Sequence, residues 1–384
     1  MNVKLPLALL GGLSPEQFMR QYWQKKPFVI RAAVPDFKPL ISEADLLAMA
    51  ANEEIESRLI EHTAKAPAKA TASGWKLTAG PMEKPPSMKK KDWTLLLQGM
   101  ELQSPAVHAL LQQFRFVPDA RLDDVMISLA GEGGGVGPHF DSYDVFLLQA
   151  SGRRRWQISA QKDLKLVADA PLKILQNFKP TEEFILEPGD MLYLPPRYAH
   201  DGVALDAGCQ TYSIGFRAPK VGELARELLH RIAEEIADGM EDEPKLAKLY
   251  EDATQEATAQ PGLLPAALTA FAAEAVSKAL ADKTLIEQLI GEYLTDPKAG
   301  VYFEEGKLPQ KFSQIILHPA TRMSYDAKHM FINGQSFKCA GADAKLLRKL
   351  ADERQIKATE LIAGSAALMP AIGEFAKEGW LHGQ

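Results

Sequence analysis

A histidine and an aspartate stand two residues apart, His139 and Asp141, in the stretch GGGVGPHFD. On an extended chain such side chains leave the backbone on the same side, so the imidazole and the carboxylate can reach one cation. A third ligand has to come from elsewhere, and His200 is the candidate. It closes the run EPGDMLYLPPRYAH, where a Pro-Gly-Asp turn, a short apolar run and a double proline lead up to it. Two imidazoles and a carboxylate on one face of an octahedral metal leave three adjacent positions open. Non-haem iron(II) oxygenases use that arrangement to take a chelating co-substrate and dioxygen together. Taken singly, an H-x-D pair or a histidine after two prolines is more often structural; their combination, with strand-like sequence on both sides, points to a metal. Manganese or another divalent ion suits the same ligands. His62, His108, His230, His318, His329 and His382 form no such cluster and are expected in structural or surface positions.

The next chemistry lies in residues 153–158, RRRWQI. Strand alternation puts Arg154, Trp156 and Ile158 on one face and Arg153, Arg155 and Gln157 on the other. The first set is the one expected to look inward, which buries the Arg154 guanidinium. A buried unpaired cation is costly and needs an anion. A dicarboxylate 2-oxo acid supplies one: its oxo-acid end chelates the metal while its far carboxylate forms a bidentate pair with Arg154. The alternatives are an exposed arginine ribbon or an internal acid as partner. The same sorting of residues 124–129 sets Asp124, Met126 and Ser128 against Val125, Ile127 and Leu129. If the polar face lines the pocket, Ser128 can hydrogen-bond the co-substrate and Asp124 stands nearer the mouth; otherwise that face is solvated.

These groups need a scaffold. Residues 124–129, 144–149, 153–159, 183–186, 191–194 and 210–216 are short runs rich in Val, Ile, Phe, Leu and Tyr, separated by turn residues, which predicts an all-β barrel or sandwich. Ahead of them, Ser14, Pro15 and Gln17 signal the start of a helix over 14–25, a strand is expected at 27–31 and a helix at 42–51. Residues 65–73, rich in Ala and Lys, carry no useful period and are expected to form an insertion; the basic run at 89–91 suits a solvated loop. After Pro219, Leu224, Leu228, Ile232 and Ile236 make one helical stripe, and Ala-rich helical sequence continues to about Leu294. From about residue 300 the texture is small α+β, with Asn333-Gly334 marking a hairpin between 330–332 and 335–338.

At 384 residues the chain exceeds what one core usually organises. Its 46% hydrophobic and 24% charged residues suit a soluble globular protein, and a net charge of -6 disfavours a nucleic-acid partner held by phosphate contacts. Two cysteines, far apart and in no CxxC pair, argue against a disulfide scaffold and a thiolate zinc site and suit a reducing cytosol. The apolar run near residue 10 is too short for a bilayer, so no membrane role is expected and the cytoplasm is the expected location.

The glycine-rich approach to His139 and Asp141, the segments Tyr143-Asp144-Val145-Phe146 and Gly152-Arg153-Arg154-Arg155-Trp156, the run from Pro188 to His200, the segment from Ser213 to Pro219 and the early Trp23-Gln24-Lys25-Lys26-Pro27 stand in one order along the chain. Together they resemble the JmjC-type oxygenases, in particular the bacterial ribosomal oxygenases. The resemblance implies an α+β fold: a double-stranded β-helix (cupin) barrel with N-terminal helices over 1–219, a helical dimerisation segment over 220–299 and a winged-helix-like domain over 300–384. It implies iron(II), 2-oxoglutarate and dioxygen, and hydroxylation at the β-carbon of an arginine in large-subunit ribosomal protein number sixteen by a homodimer. His139, Asp141 and His200 would be the iron ligands, Arg154 the partner of the co-substrate's distal carboxylate and Ser128 a co-substrate contact. An arginine substrate needs an acid, so Asp124 or Asp144 is expected to meet its guanidinium. An oxygenase or demethylase with another protein substrate, and a metal-binding cupin without oxygenase activity, are the other readings.

Overall fold

The computed structural model describes residues 2–63, 74–240 and 246–384, so the expected insertion at 65–73 lies outside the described residues. Backbone packing divides the chain into two units, Met1–Ala218 and Pro219–Gln384.

The first unit runs α1 (Pro15–Gln21), β1 (Phe28–Ile30), α2 (Glu43–Met49), β2 (Ser57–His62), β3 (Trp75–Ala79), β4 (Trp93–Leu97), α3 (Pro105–Gln112), β5 (Leu122–Ala130), β6 (Val145–Ser151), β7 (Arg154–Ser159), β8 (Glu182–Leu186), β9 (Met191–Leu194), β10 (Ala199–Ala204) and β11 (Cys209–Phe216). Helix α1 begins where the sequence signals it: Ser14 Oγ accepts from the Gln17 amide, the Gln17 side chain accepts from the Ser14 amide, and Pro15 opens the first turn. It ends four residues earlier than its expected bound at 25. The chain turns there, with Gln24 at φ 56°, and the Gln24 amide donates to the Tyr193 hydroxyl at 2.7 Å. Strands β2, β3, β4 and β10 were not marked by the hydrophobic pattern.

Eight strands form one antiparallel sheet in the order β1-β9-β6-β11-β5-β4-β2-β3, and three form a second, β10-β7-β8. The large sheet is buried on both faces, for different reasons. On one face Val125, Ile127, Leu129, Phe146, Leu148, Tyr212 and Ile214 pack with Phe18, Leu46, Val107 and Leu110 from the three helices. The other face turns to the small sheet: Leu147, Leu192 and Leu194 cluster with Trp156, Ile158 and Leu186, and Ala130 and Cys209 meet Ala204. Each large side chain so buried contributes about 1.5–3 kcal/mol. Two antiparallel sheets face to face around a small chamber make a double-stranded β-helix barrel, and the helices hold the outside of its larger wall.

The second unit begins with α4 (Val221–Gly239), α5 (Ala266–Ala281) and α6 (Lys283–Thr295). It continues with β12 (Gln314–Leu317), β13 (Met323–Tyr325), β14 (His329–Ile332), β15 (Gln335–Lys338), α7 (Gly341–Glu353), β16 (Gln355–Lys357), α8 (Ala358–Leu361), α9 (Leu368–Lys377) and β17 (Leu381–Gly383). Its strands form two small sheets, β16-β12-β17 and β13-β14-β15, over a core that includes Ile315, Ile332, Leu347, Leu350 and Ile372. The turn between β14 and β15 is Asn333-Gly334, both at positive φ (46° and 84°), the two-residue geometry that this dipeptide favours. Helix α6 packs on this hairpin: a Cβ on Gly291 would lie 2.3 Å from the Phe331 ring, and the Gly334 amide donates to Thr295 Oγ1 at 3.3 Å. In α4 only Ile232 of the expected stripe is fully buried, and α5 buries none of its side chains.

Candidate metal centre

Strand β10 is where the third candidate ligand sits. One edge pairs with β7, Ile158 opposite His200 and Trp156 opposite Gly202. The other edge is taken by the glycine-rich arm. The Gly133 amide donates to the Ala204 carbonyl at 2.9 Å and the Ala204 amide to the Gly134 carbonyl at 2.8 Å. Further along, His139 and His200 exchange both backbone bonds, at 2.9 and 2.8 Å. The arm is thus an interrupted fourth strand of the small sheet. His139 lies directly across from His200, and residues opposite one another in a ladder share a face. Gly202 has to be glycine, because a Cβ there would lie 2.5 Å from the Trp156 ring.

The side chains converge accordingly. Ligand atoms of His139, Asp141 and His200 all lie within 4.8 Å of one another, the one such group of His, Cys, Asp and Glu among the described residues. The imidazole centroids are 4.2 Å apart, and Asp141 Oδ2 is 3.6 Å from His200 Nε2. Each ring is oriented in the same way. His139 Nδ1 is 2.8 Å from the Gly137 carbonyl and His200 Nδ1 is 2.9 Å from the Tyr198 carbonyl. A carbonyl accepts, so each Nδ1 carries the proton and each Nε2 lone pair is left for a cation. Burial, then the neighbouring His139, push the His200 pKa down to about 4 against the pull of Asp141, so the ring is neutral near pH 7, as a metal ligand must be. Two nitrogens and one carboxylate oxygen, with a partly exposed side, fit a divalent metal with open positions.

Arg154 lies in the same chamber. It is 3% exposed, opposite Ala204 in the β7–β10 pair, with its guanidinium 5.8 Å from the Trp156 ring. Its Nη1 reaches the Gly202 carbonyl only at 3.5 Å, and Nε and Nη2 have no partner among the described residues. Neither alternative from the sequence fits the described residues: Arg154 is not on an exposed ribbon, and no carboxylate among them forms an ion pair with it. Arg153 shows the contrast, pointing outward to a two-toothed pair with Asp206 at 3.0 Å on each arm. Thr94 Oγ1 on β4 is another buried polar atom without a partner among the described residues. Thr94 stands opposite Ala130, which packs with Ala204, so it belongs to the same level of the barrel as Arg154. Sequence reading missed Thr94 because β4 itself was not recognised; the run WTLLL was the available signal.

Ser128 is buried on the chamber side of β5, two residues from Ala130, and its hydroxyl donates to the Thr211 carbonyl at 3.3 Å. Asp124 shares that face, accepting from Gln98 Nε2 and, at 3.3 Å, from the Gly99 amide. Tyr143, just beyond Asp141, has its phenol pKa pushed up, first by loss of water around the hydroxyl and then by the Asp141 and Asp124 carboxylates. Asp144 is not brought to this group. It is fully buried and accepts from the Tyr193 hydroxyl at 2.6 Å, Gln24 Nε2 at 3.1 Å and Arg121 Nη2 at 3.3 Å, which ties the turn after α1 to the large sheet.

Residues 109–224 match the JmjC domain family, and residues 278–382 match the ROXA-like winged helix; an AraC-like ligand-binding domain also matches over 181–290. The chain is 39% identical over 210 residues to the ribosomal protein uL16 3-hydroxylase of Escherichia coli (strain K12), covering 54% of this chain and 53% of that protein. It is 26% identical over 214 residues to human ribosomal oxygenase 1, covering 52% and 32%. The chain therefore spans about half the length, or less, of the curated relatives it matches. In three dimensions the likeness extends further. A solved structure of YcfD, a ribosomal oxygenase from Escherichia coli in complex with cobalt and 2-oxoglutarate, superposes with a TM-score of 0.79 at 25% identity, over 96% of this chain and 98% of that one. Another Escherichia coli YcfD structure gives 0.80 at 26%, over 95% and 97%. No helix among the described residues is long and apolar enough to cross a membrane.

Proposed function

From a chain that carries a JmjC domain and has the fold of a bacterial ribosomal oxygenase, we propose an iron(II)- and 2-oxoglutarate-dependent dioxygenase that hydroxylates a ribosomal protein. The finer reading is the β-carbon of an arginine in large-subunit protein number sixteen, supported by the name of the Escherichia coli relative as far as the protein and by the Asp124 carboxylate on the chamber face of β5 as far as the arginine. The observation that carries the enzyme reading is the buried guanidinium of Arg154 with two unpartnered nitrogens in the chamber of the His139, Asp141 and His200 group. A bare metal-binding cupin has no use for that cation, whereas a dicarboxylate anchored on the metal does.

Iron with 2-oxoglutarate and dioxygen supplies the oxidation; the chain supplies position. His139, Asp141 and His200 would hold the metal from one side, leaving adjacent positions open. Arg154 would take the distal carboxylate of the co-substrate, with Thr94 and Ser128 as hydroxyl donors beside it. Apolar walls from Leu147, Leu192 and Trp156 keep water from the chamber. Asp124 is the acid we assign to the substrate guanidinium. The packing of Asp144 favours a structural role, and it stays in the substrate scheme only if Asp124→Ala leaves turnover intact.

We also assign α4 and α5, within residues 220–299, to dimerisation, because their apolar side chains are left exposed, and residues 300–384 to a winged-helix-like domain. The proposed location is the cytoplasm, where ribosomal proteins are met. The test is mass spectrometry of large-subunit ribosomal proteins incubated with the protein, iron(II), 2-oxoglutarate and oxygen, beside an Asp141→Ala control. One added oxygen on a single arginine, absent from the control, is the expected result. Succinate without that shift would keep the oxygenase and discard the target, loss of a methyl would indicate a demethylase, and neither product would leave the bare cupin.

A further inference from the structure

The two histidines of the metal group are held by unequal means. His200 lies within β10, whose backbone is bonded to β7 along one edge and to the arm along the other. His139 sits on the arm, where the ladder to β10 is interrupted between Gly134 and His139. Its ring is set by one bond, from Nδ1 to the Gly137 carbonyl at 2.8 Å. Whatever fixes Gly137 therefore fixes the His139 ring.

Gly137 has φ 76°, a conformation that glycine adopts without strain, and it is pressed from two sides. A Cβ built there would lie 2.7 Å from the Trp75 ring and 2.7 Å from Ile174 Cδ1. The next carbonyl, that of Pro138, accepts from the Leu175 amide at 2.7 Å, so the Ile174 side is anchored by backbone. On the Trp75 side the arm meets the face of an indole. Trp75 opens β3, directly opposite His62 on β2, and the two rings lie against each other, centroids 4.2 Å apart and tilted by 31°. That ring contact backs the indole where it meets the arm.

We propose that Trp75 is a positioning residue for the metal centre, acting through Gly137 on the orientation and tautomer of His139; the inference rests on the metal reading above. Trp75 is not one of the ligand group and meets it only through the arm. Its indole closes the space into which Gly137 would otherwise turn, and so keeps the Gly137 carbonyl aimed at Nδ1. Without it the His139 proton loses its fixed acceptor and Nε2 its fixed direction. Loss of such an outer partner weakens metal binding by roughly 10- to 100-fold.

The experiment is a cobalt(II) titration of the full chain followed by visible absorption, with nitrogen-15 histidine spectra that register the His139 Nδ1 proton. Trp75→Ala is expected to bind cobalt about 10-fold more weakly, with altered absorption bands and rapid exchange of that proton. Trp75→Phe keeps a flat ring against Gly137 and is expected to recover most of the affinity. Leu77→Ala, on the same strand opposite Ile60, is expected to bind as the parent protein does. Should Trp75→Ala prove insoluble, Trp75→Leu gives the same reading, since it preserves apolar volume without the ring. Parent-like affinity and spectrum in Trp75→Ala or Trp75→Leu would overturn the proposal. So would an equal loss in Leu77→Ala, which would make hairpin stability the cause. If the parent bound no cobalt, or Asp141→Ala bound it equally well, the metal reading itself would fall, and the positioning role with it.

Discussion

Inside the barrel, groups that water would ordinarily solvate are buried: the Arg154 guanidinium at 3% exposure, the His200 imidazole at 2% and the Asp144 carboxylate at 0%. In α4 and α5 the reverse holds, and side chains that a core would ordinarily take stand in solvent, with Leu229 52%, Val276 61% and Leu280 43% exposed. Both regions violate the rule that polar groups face water and apolar groups face each other, and they violate it in opposite directions. A buried cation without an anion asks for a small charged ligand. An exposed apolar helix face asks for another apolar face. The first kind of deficit marks where chemistry is done, the second where a surface is to be covered. Asp144 is the useful exception, since its burial is already balanced by three donors.

The comparison breaks first if the buried polar groups are merely structural. Asp141→Ala removes the only carboxylate of the ligand group. We expect cobalt affinity to fall by more than the roughly 100-fold that an outer partner is worth, and hydroxylation to fall to background. Thermal unfolding should shift little in the absence of metal, because Asp141 is partly exposed. Retained metal binding in that variant would remove the site.

Asp144→Ala separates the balanced group from the unbalanced ones. It leaves the Arg121 and Tyr193 partners without their shared acceptor inside the packing, and breaking a buried pair costs about 3–5 kcal/mol. Urea unfolding should show that loss, while the fraction still folded binds metal as the parent does. Little change in stability, with a raised KM for the protein substrate, would return Asp144 to the substrate contacts.

Arg154→Met sharpens the contrast through its sign. A structural arginine would be missed on removal, whereas a ligand-binding one leaves the protein no less stable, since replacing a buried unpaired cation by an apolar chain of similar length is neutral or stabilising. Charge-assisted bonds are worth about 1.5–3 kcal/mol, so the KM for 2-oxoglutarate should rise about 10- to 100-fold. Arg153→Ala, which removes a pair exposed to solvent, should leave stability close to that of the parent and that KM unchanged. A destabilised Arg154→Met with an unchanged KM would mean the guanidinium has an internal role.

Much of the site was legible because its residues obey a strict period. The alternation of Arg154, Trp156 and Ile158 requires only that the chain be extended there, and it is; the spacing of His139 and Asp141 needs less, a single bridge at His139 from which both side chains reach one point. What the sequence did not reveal was the strand carrying His200. Ala199–Ala204 contains Asp201 and Gly202, both poor strand formers, and it is held as a strand by pairing on both edges, a tertiary effect outside any local pattern. The same holds for β2 and β3, whose mixed sequences take strand form from their neighbours. Asp144 was beyond reach for another reason: its three partners come from positions 24, 121 and 193, and nothing local to Asp144 announces them. In the second unit the Leu224, Leu228, Ile232 and Ile236 stripe identified a helix without telling core from interface, because both produce the same periodicity.

That ambiguity is the subject of the smallest expected effect. If Val276 and Leu280 lined a core of this chain, replacing both by serine would cost the several kcal/mol typical of emptied core sites. They are exposed, so we expect the unfolding free energy of the isolated chain to change by no more than about 0.5 kcal/mol for each. The readout that should move is mass. Under the dimer we propose, light scattering of the parent gives twice the chain mass, and the double variant shifts toward one chain with its cobalt affinity intact. A large stability loss at constant mass would make α5 part of a core that this fold does not show. A parent already monomeric would leave those side chains without the partner that their exposure implies, and the likeness between the two kinds of deficit would end at the barrel.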